Sequence, residues 1–206
     1  MADVNNGILT TNANPLTGKK VWYFIQSIHE PVGSPALLPA WQTEGTTTYG
    51  GDTIDEQTKS GRILAKGTDE QAIDLTQYYA PLDTSIKVIK DSKRNGDAVK
   101  VWRVEVDKTL AVPEGDYNVY PAEFGFGLVD ELELSDGEDF VEASYTLNIV
   151  GTLKEGTFPL TDDDIAMLES VYEYQRPGET TGSFGETTTT TTKAPTTTTT
   201  TTSGSK

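Results

Sequence analysis

The 206 residues carry 32 acidic against 16 basic side chains, one histidine and no cysteine, and hydrophobic residues make up 35%. That composition excludes a disulfide framework, a thiolate nucleophile, Cys-bearing zinc or iron–sulfur sites and the ordinary multi-histidine metal sites. No run of about 18 apolar residues exists to span a membrane, and Met1 to Gly7 lacks the basic and apolar regions of a signal peptide, so the chain is expected to be made in a cytosol and not exported by the ordinary route.

An N-terminal arm is expected over residues 1–14, ahead of a β domain over 15–178. Lys20 to Ile28, rich in aromatic and β-branched residues, reads as the first strand. Pro31 to Pro35 breaks it, and Pro39 to Thr48 resumes as an extended segment carrying Trp41. Tyr49 to Ser60 is polar and reads as a loop, long for a hairpin connection and of the kind that often carries function. Arg62-Ile63-Leu64 and Gln71 to Tyr79 are two further strands. A helix follows: Asp83 or Thr84 caps it, Ile86 and Ile89 give it a narrow apolar stripe, and Asn95-Gly96 ends it. Lys90, Lys93 and Arg94 fall in its last turns, where they suit the helix dipole.

Val99 to Asp107 and Val119 to Leu134 are the next strands, the second holding Phe124-Gly125-Phe126-Gly127 and then alternating Leu132 and Leu134 with acidic residues. Trp102, in a valine-rich strand just after the helix, is expected to be buried at the helix–sheet interface. From Val141 to Val150 the alternation is clean. Val141, Ala143, Tyr145, Leu147 and Ile149 take one face, and Glu142, Ser144, Thr146 and Asn148 take the other, which gives a buried side and a wet side. Thr161 to Asp164 can cap a short helix through Met167. Val171 to Gln175 reads as a closing strand and Arg176-Pro177-Gly178 as the end of the domain.

Residues 179–206 hold threonine runs around a Lys-Ala-Pro spacer. They cannot bury enough apolar surface to offset their ordering entropy and are expected to be disordered; in composition they resemble O-glycosylated stalks. The acids of this tail, Glu179 and Glu186, are matched by Lys193 and Lys206, so residues 1–178 hold the whole net charge of −16. Such a surface repels phosphate and disfavours duplex binding by counterion release; solubility is its plainest reading. Lys87, Lys90, Lys93, Arg94, Lys100, Arg103 and Lys108 concentrate the positive charge around the helix, and pairing with acidic neighbours is favoured there over a nucleic-acid patch.

No motif carries catalytic chemistry. Gly18-Lys19-Lys20 suggests a phosphate loop, but Ala13 stands where its first glycine belongs and Lys20 where Ser or Thr belongs. Asp91 to Gly96 begins like a calcium loop and fails at Lys93 and Trp102, where ligands are required. Ser135 to Asp139 and Asp162 to Asp164 read as solvated turns rather than cation sites. His29, beside Glu30-Pro31, has no flanking signature of a catalytic triad and reads as a turn histidine. No catalytic, cofactor or metal residue is assigned, and none is expected.

Several segments together have a more specific likeness. They are Trp22-Tyr23-Phe24-Ile25-Gln26-Ser27-Ile28, the pair Gln42-Thr43-Glu44-Gly45 and Asp55-Glu56-Gln57-Thr58-Lys59-Ser60-Gly61-Arg62-Ile63-Leu64, then Val101-Trp102-Arg103-Val104 after the helix. Phe124-Gly125-Phe126-Gly127, Ile149-Val150-Gly151 and Tyr174 to Gly182 follow in order. From Asn14 to Gly182 the chain resembles the major tail tube proteins of long-tailed (siphovirus) phages of Gram-positive bacteria. The threonine runs lie outside the likeness.

The resemblance implies a mainly β fold, a β-sandwich or half-barrel with one flanking helix, which assembles as hexameric rings. Stacked rings would form a tail tube, a conduit that delivers DNA to the host, built in the host cytoplasm and resident in the virion tail. It implies contacts with further copies of itself, and with the tape measure protein, the tail terminator and the distal tail protein; genomic DNA would pass through the lumen without specific binding, and no membrane is involved. Carried over by position, the ring-to-ring loop is Tyr49 to Ser60, with Tyr49, Gly50, Gly51, Asp52, Thr53, Ile54, Asp55, Glu56 and Gln57 as its contact residues. The wet face of Glu142, Ser144, Thr146 and Asn148 would line the lumen. A carbohydrate-binding or adhesin module on a Thr-rich stalk is the alternative reading, with Tyr78-Tyr79, Trp41 and Trp102 stacking on sugars.

Overall fold

A strand that alternates apolar with polar residues has one covered face, and most of this chain is built that way. A computed structural model describes residues 14–169. Their elements are β1 (Val21–Ser27), β2 (Gln42–Thr58), β3 (Gly61–Tyr78), α1 (Thr84–Asn95), β4 (Ala98–Glu105), β5 (Val112–Glu114), β6 (Tyr117–Ser135), β7 (Glu142–Ile149), β8 (Lys154–Leu160) and α2 (Asp162–Glu169). The strands form one eight-stranded antiparallel sheet in the order β1-β4-β6-β7-β3-β2, with β5 and β8 added along β6. The expected closing strand, residues 1–13 of the expected N-terminal arm and the whole threonine-rich tail lie outside the described residues.

The core lies between the inner face of this sheet and α1. Ile86 and Ile89, the apolar stripe of α1, are buried with Tyr23, Ile25, Ile73, Leu75, Val99, Val101, Tyr145 and Leu147. Each such side chain stabilises the fold by roughly 1.5–3 kcal/mol relative to exposure. The helix ends where expected. The Asp83 carboxylate accepts from the Ser85 amide at 2.8 Å, and Gly96 takes the left-handed conformation, φ 76°, that closes the last turn.

The sheet curls until its first and last strands meet. Gln42 of β2 donates its amide to the Tyr23 carbonyl of β1 at 2.7 Å and accepts from the Tyr23 N–H at 3.3 Å. The Tyr23 hydroxyl lies 3.1 Å from Thr47 Oγ1. Gly45 makes room for that ring: a Cβ there would sit 2.3 Å from Tyr23 Cε2. Side chains rather than a backbone ladder thus close the half-barrel, and the outer edge of β2 stays open.

Several expectations change. Tyr49 to Ser60 is not a loop: β2 runs straight through it to Thr58, and only Lys59-Ser60 turn. Arg62-Ile63-Leu64 and Gln71 to Tyr79 are one strand, β3, that pairs with β2 from Gln42↔Gln77 to Thr58↔Gly61. Alternation was a poor guide here because both faces of this stretch are exposed, so no residue type is favoured on either. β8 escapes the pattern for another reason. It carries Gly156 and Pro159, which a strand tolerates when, as here, it lies at an edge and pairs only with β6.

Trp102 does not reach the helix–sheet interface. Val99 and Val101 point there, so by alternation Trp102 points to the other face, where it packs on Phe124 (centroids 5.1 Å) and Phe158 (6.0 Å). Phe158 stacks on Phe24 at 4.6 Å, and Phe126 meets Phe124 edge-on. Because Trp102 is only half-buried, Trp102→Ala should cost about 2 kcal/mol, below the range for a fully buried tryptophan. Urea unfolding measures it; a loss below about 0.5 kcal/mol would show that the cluster closes over the gap.

Candidate assembly surfaces and channel face

In an antiparallel sheet, directly opposed residues share a face. The register therefore extends the wet side of β7 across its neighbours. Glu44, Thr76, Ser144 and Glu133 form one row, and Thr46, Asp74, Thr146 and Glu131 the next. Tyr78, Glu142 and Ser135 continue it at one end, and Thr48, Ala72, Asn148 and Leu128 at the other. Hydroxyls link the rows: Thr76 Oγ1 lies 3.2 Å from Ser144 Oγ, and Thr146 Oγ1 donates to Asp74 Oδ1 at 2.5 Å. The face carries Glu44, Asp74, Glu131, Glu133 and Glu142, and among the described residues no Lys or Arg pairs with any of them. A β-bulge between Val129 and Glu131 puts the second half of β6 in step with this pattern.

Glu142, Ser144, Thr146 and Asn148 thus stand on one solvent-facing side, with Ala143, Tyr145, Leu147 and Ile149 buried behind them. Sequence reasoning missed Glu44, Thr46, Asp74, Thr76, Glu131 and Glu133 as members of that face. Asp74 between buried Ile73 and Leu75 was a local signal; which strands lie side by side was not legible.

The second feature is an arm. β3 pairs with β7 only from Ala72 to Tyr78, so beyond Thr48↔Ala72 the β2–β3 hairpin projects as two strands alone. Some ten residues of strand make that projection roughly 33 Å long. Tyr49, at its base, donates its hydroxyl to Glu123. Gly50 and Gly51 stand where the register shifts across Asp52, and Gly51 has φ 149°, with a Cβ position 2.6 Å from the Thr68 carbonyl. Only glycine fits that kink. Beyond it, Thr53 opposes Lys66, Ile54 opposes Ala65, Asp55 opposes Leu64, Glu56 opposes Ile63 and Gln57 opposes Arg62. Arg62 holds Asp55 through two hydrogen bonds of 2.8 and 2.5 Å.

Five of the basic residues around the helix are engaged locally. Arg103 pairs with Glu105 at 2.7 Å and Glu123 at 3.4 Å, Arg94 with Asp91 at 3.6 Å, and Lys93 donates to the Asp130 carbonyl. Lys90 sits over the Tyr79 ring at 4.8 Å and Lys100 donates to Gln26. His29 lies in a turn and pairs with Asp97 at 2.8 Å. Of the aromatics considered for sugar stacking, Trp41 and Tyr78 are neighbours through a backbone hydrogen bond, while Trp102 belongs to the separate phenylalanine cluster. Among the described residues no group of three or more His, Asp or Glu side chains is placed to hold a metal ion, and no helix is long and apolar enough to cross a membrane.

Beneath the acidic face a buried polar chain ties strands to helix. The Tyr145 hydroxyl donates to Gln77 Oε1 at 2.9 Å, and Gln77 Nε2 donates to Asp83 Oδ2 at 2.8 Å. Burial, and next the charge of Asp83, push the Tyr145 phenol well above its ordinary value. Tyr49, though largely exposed, is pushed up to about 12, chiefly by partial desolvation at the base of the arm and then by its bond to Glu123. An ordinary phenol ionises near pH 10. Both folded values are raised, so the stability due to these neutral phenols is complete below about pH 10 and is lost as pH rises through and beyond about 12. Tyr145→Phe should cost about 1 kcal/mol at neutral pH and flatten the alkaline decline of the urea midpoint. An equally steep decline in the variant would clear Tyr145 of that role.

An open-edged half-barrel with one polar acidic face and a projecting hairpin is a fold seen before. A family model described as phage tail tube protein matches residues 15–155. The chain belongs to the phage tail tube protein family. The tail tube protein gp17.1 of Bacillus phage SPP1 is 38% identical over 170 residues, 82% of this chain and 62% of that protein. The chain therefore spans less than two thirds of that relative's length. The structure of the SPP1 tail tube, from solid-state NMR and cryo-EM, matches with a TM-score of 0.60 at 37% identity, over 82% of this chain and 96% of that one. The tail of a gene transfer agent particle, refined with C6 symmetry, matches at 0.51 with 13% identity over 68% and 98% of the two chains, a likeness of fold alone. Family membership makes this a structural protein of the phage tail.

Proposed function

We propose that the chain polymerises as stacked hexameric rings into the tube of a phage tail, a conduit for DNA delivery into the host, with no catalytic role. The observation that carries this reading is the channel face: rows of carboxylates and hydroxyls in register across β2, β3, β7 and β6, with no cation among them. Six such faces side by side make a wetted acidic wall. Within a Debye length of about 8 Å, that wall repels a duplex and releases no counterions to hold it, so DNA slides without sticking.

The outer edges of β2 and β8 are unpaired among the described residues. An open edge is an aggregation hazard in a monomer, and joining neighbours into a closed barrel removes it. The β2–β3 arm projects beyond the sheet and suits contact between rings. By family resemblance the tape measure protein, the tail terminator and the distal tail protein would be its partners. Assembly would take place in the host cytoplasm.

Electron microscopy of the concentrated protein tests the reading. Tubes with six-fold end views are expected; a protein that stays monomeric at every concentration and instead binds glycans would overturn it in favour of an adhesin.

A further inference from the structure

We propose that the tip of the β2–β3 arm of one copy seats on an apolar, acid-rimmed patch at the opposite end of the sheet of a second copy, joining copies head to tail. This rests on the tube reading and names the surface that receives the arm. At the tip, Ile54 and Ala65 form one rung and Glu56 and Ile63 another, so Ile54 and Ile63 share a face, 51% and 56% exposed. Of the cations near the tip, Arg62 is paired with Asp55 and Lys66 with Asp69, which leaves Lys59, at the turn, as the one cation there with no ion-pair partner among the described residues.

The receiving patch lies at the far end of the same two strands. Trp41, just before β2, is 69% exposed and is the one non-glycine residue with positive φ (55°) among the described residues. A tryptophan held out in water on an unfavourable backbone is a feature that packing within the subunit does not explain. Its carbonyl accepts from the Tyr78 amide at 3.2 Å, and the Tyr78 ring lies 5.5 Å from Phe140, itself 78% exposed. Beside Phe140 runs an exposed turn holding Asp136, Glu138 and Asp139, and residues 130–142 contain no basic side chain.

The occupant is a second copy because the two surfaces complement each other twice. One is aliphatic with a basic turn, the other aromatic with an acidic turn. They are also different surfaces at opposite ends of β3, Gly61 at one and Tyr78 at the other. Such a heterologous contact cannot close on itself as a symmetric dimer does, and repeating it generates a chain of copies that stays open wherever the rotation between them does not close a ring.

The chain has no cysteine, so a disulfide can be placed at will. Ile63→Cys with Phe140→Cys, assembled reduced and then oxidised, should give a non-reducing gel ladder in steps of 22.4 kDa well beyond the dimer; each single variant should give no rung above the dimer. Lys59→Glu should raise the concentration at which tubes appear by about tenfold, and Lys59→Glu with Asp139→Lys should restore it. Tubes that form normally from the double-cysteine variant but yield no ladder overturn the patch and leave the tube reading standing. A Phe140→Cys thiol that resists maleimide in the monomer shows the patch covered by its own chain, which also overturns it. No tubes from the unaltered protein removes the tube reading and this contact with it.

Discussion

Asp83→Ala should lower the free energy of unfolding by about 3 kcal/mol, more than any single helix cap accounts for. The carboxylate serves three donors at once. It caps α1 through the Ser85 amide at 2.8 Å, accepts from the Ala40 amide at 3.1 Å, and accepts from Gln77 Nε2 at 2.8 Å. Loss of a cap costs about 1 kcal/mol. Gln77 is fully buried, so its amide would be left without a partner and with no route to water, which adds about 1–3 kcal/mol. For a domain of this size that is a fall of roughly 6–12 °C in the melting temperature. Asp83→Asn keeps an acceptor and should recover about half of the loss. An Asp83→Ala loss of only about 1 kcal/mol would mean that Gln77 finds another acceptor and that the residue is a cap and nothing more.

Removing the arm should do the reverse, sparing the fold and abolishing the polymer. The register shows how to cut it. Gly51 opposes Asp69, so replacing residues 52–68 by Asn-Gly joins two residues that already face each other with the turn that hairpin geometry favours. Shortening one strand alone would instead slip the register and turn the buried residues of β3 outward. No buried residue lies in the segment removed, so the urea midpoint should shift by less than the equivalent of about 1 kcal/mol. Tubes should be absent from electron micrographs at concentrations where the unaltered protein polymerises completely. Tubes of normal length from the trimmed chain would show that the arm joins nothing. Failure to fold would show that the arm templates β3, and Ile54→Asp with Ile63→Asp in the full-length chain would then decide the assembly question without disturbing the hairpin.

Much of this molecule was written locally. The ends of α1 follow from Asp83 and Gly96, because capping depends on one side chain or one φ angle and on nothing distant. The two faces of β7 follow from strict alternation between Ala143 and Ile149, because a strand half covered by a core must alternate. The excess of acid, the absence of cysteine and the order of the segments that resemble tail tube proteins were all legible without coordinates.

Register was not. That Glu44, Asp74, Glu131 and Glu133 join Glu142 on a single face depends on which strands are neighbours and on the bulge in β6, and pairing across that many residues is decided by the whole sheet at once. The arm reads as a loop in the sequence because a strand exposed on both faces has no reason to alternate. Trp102 was misplaced because large size predicts burial but not which face; the pleat put Val99 and Val101 under α1, and the tryptophan had to go to the other side. Sequence fixed the residues that each strand could bury, and tertiary structure chose which exposed residues would stand together, since solvent-facing positions carry no packing constraint until a neighbouring strand arrives.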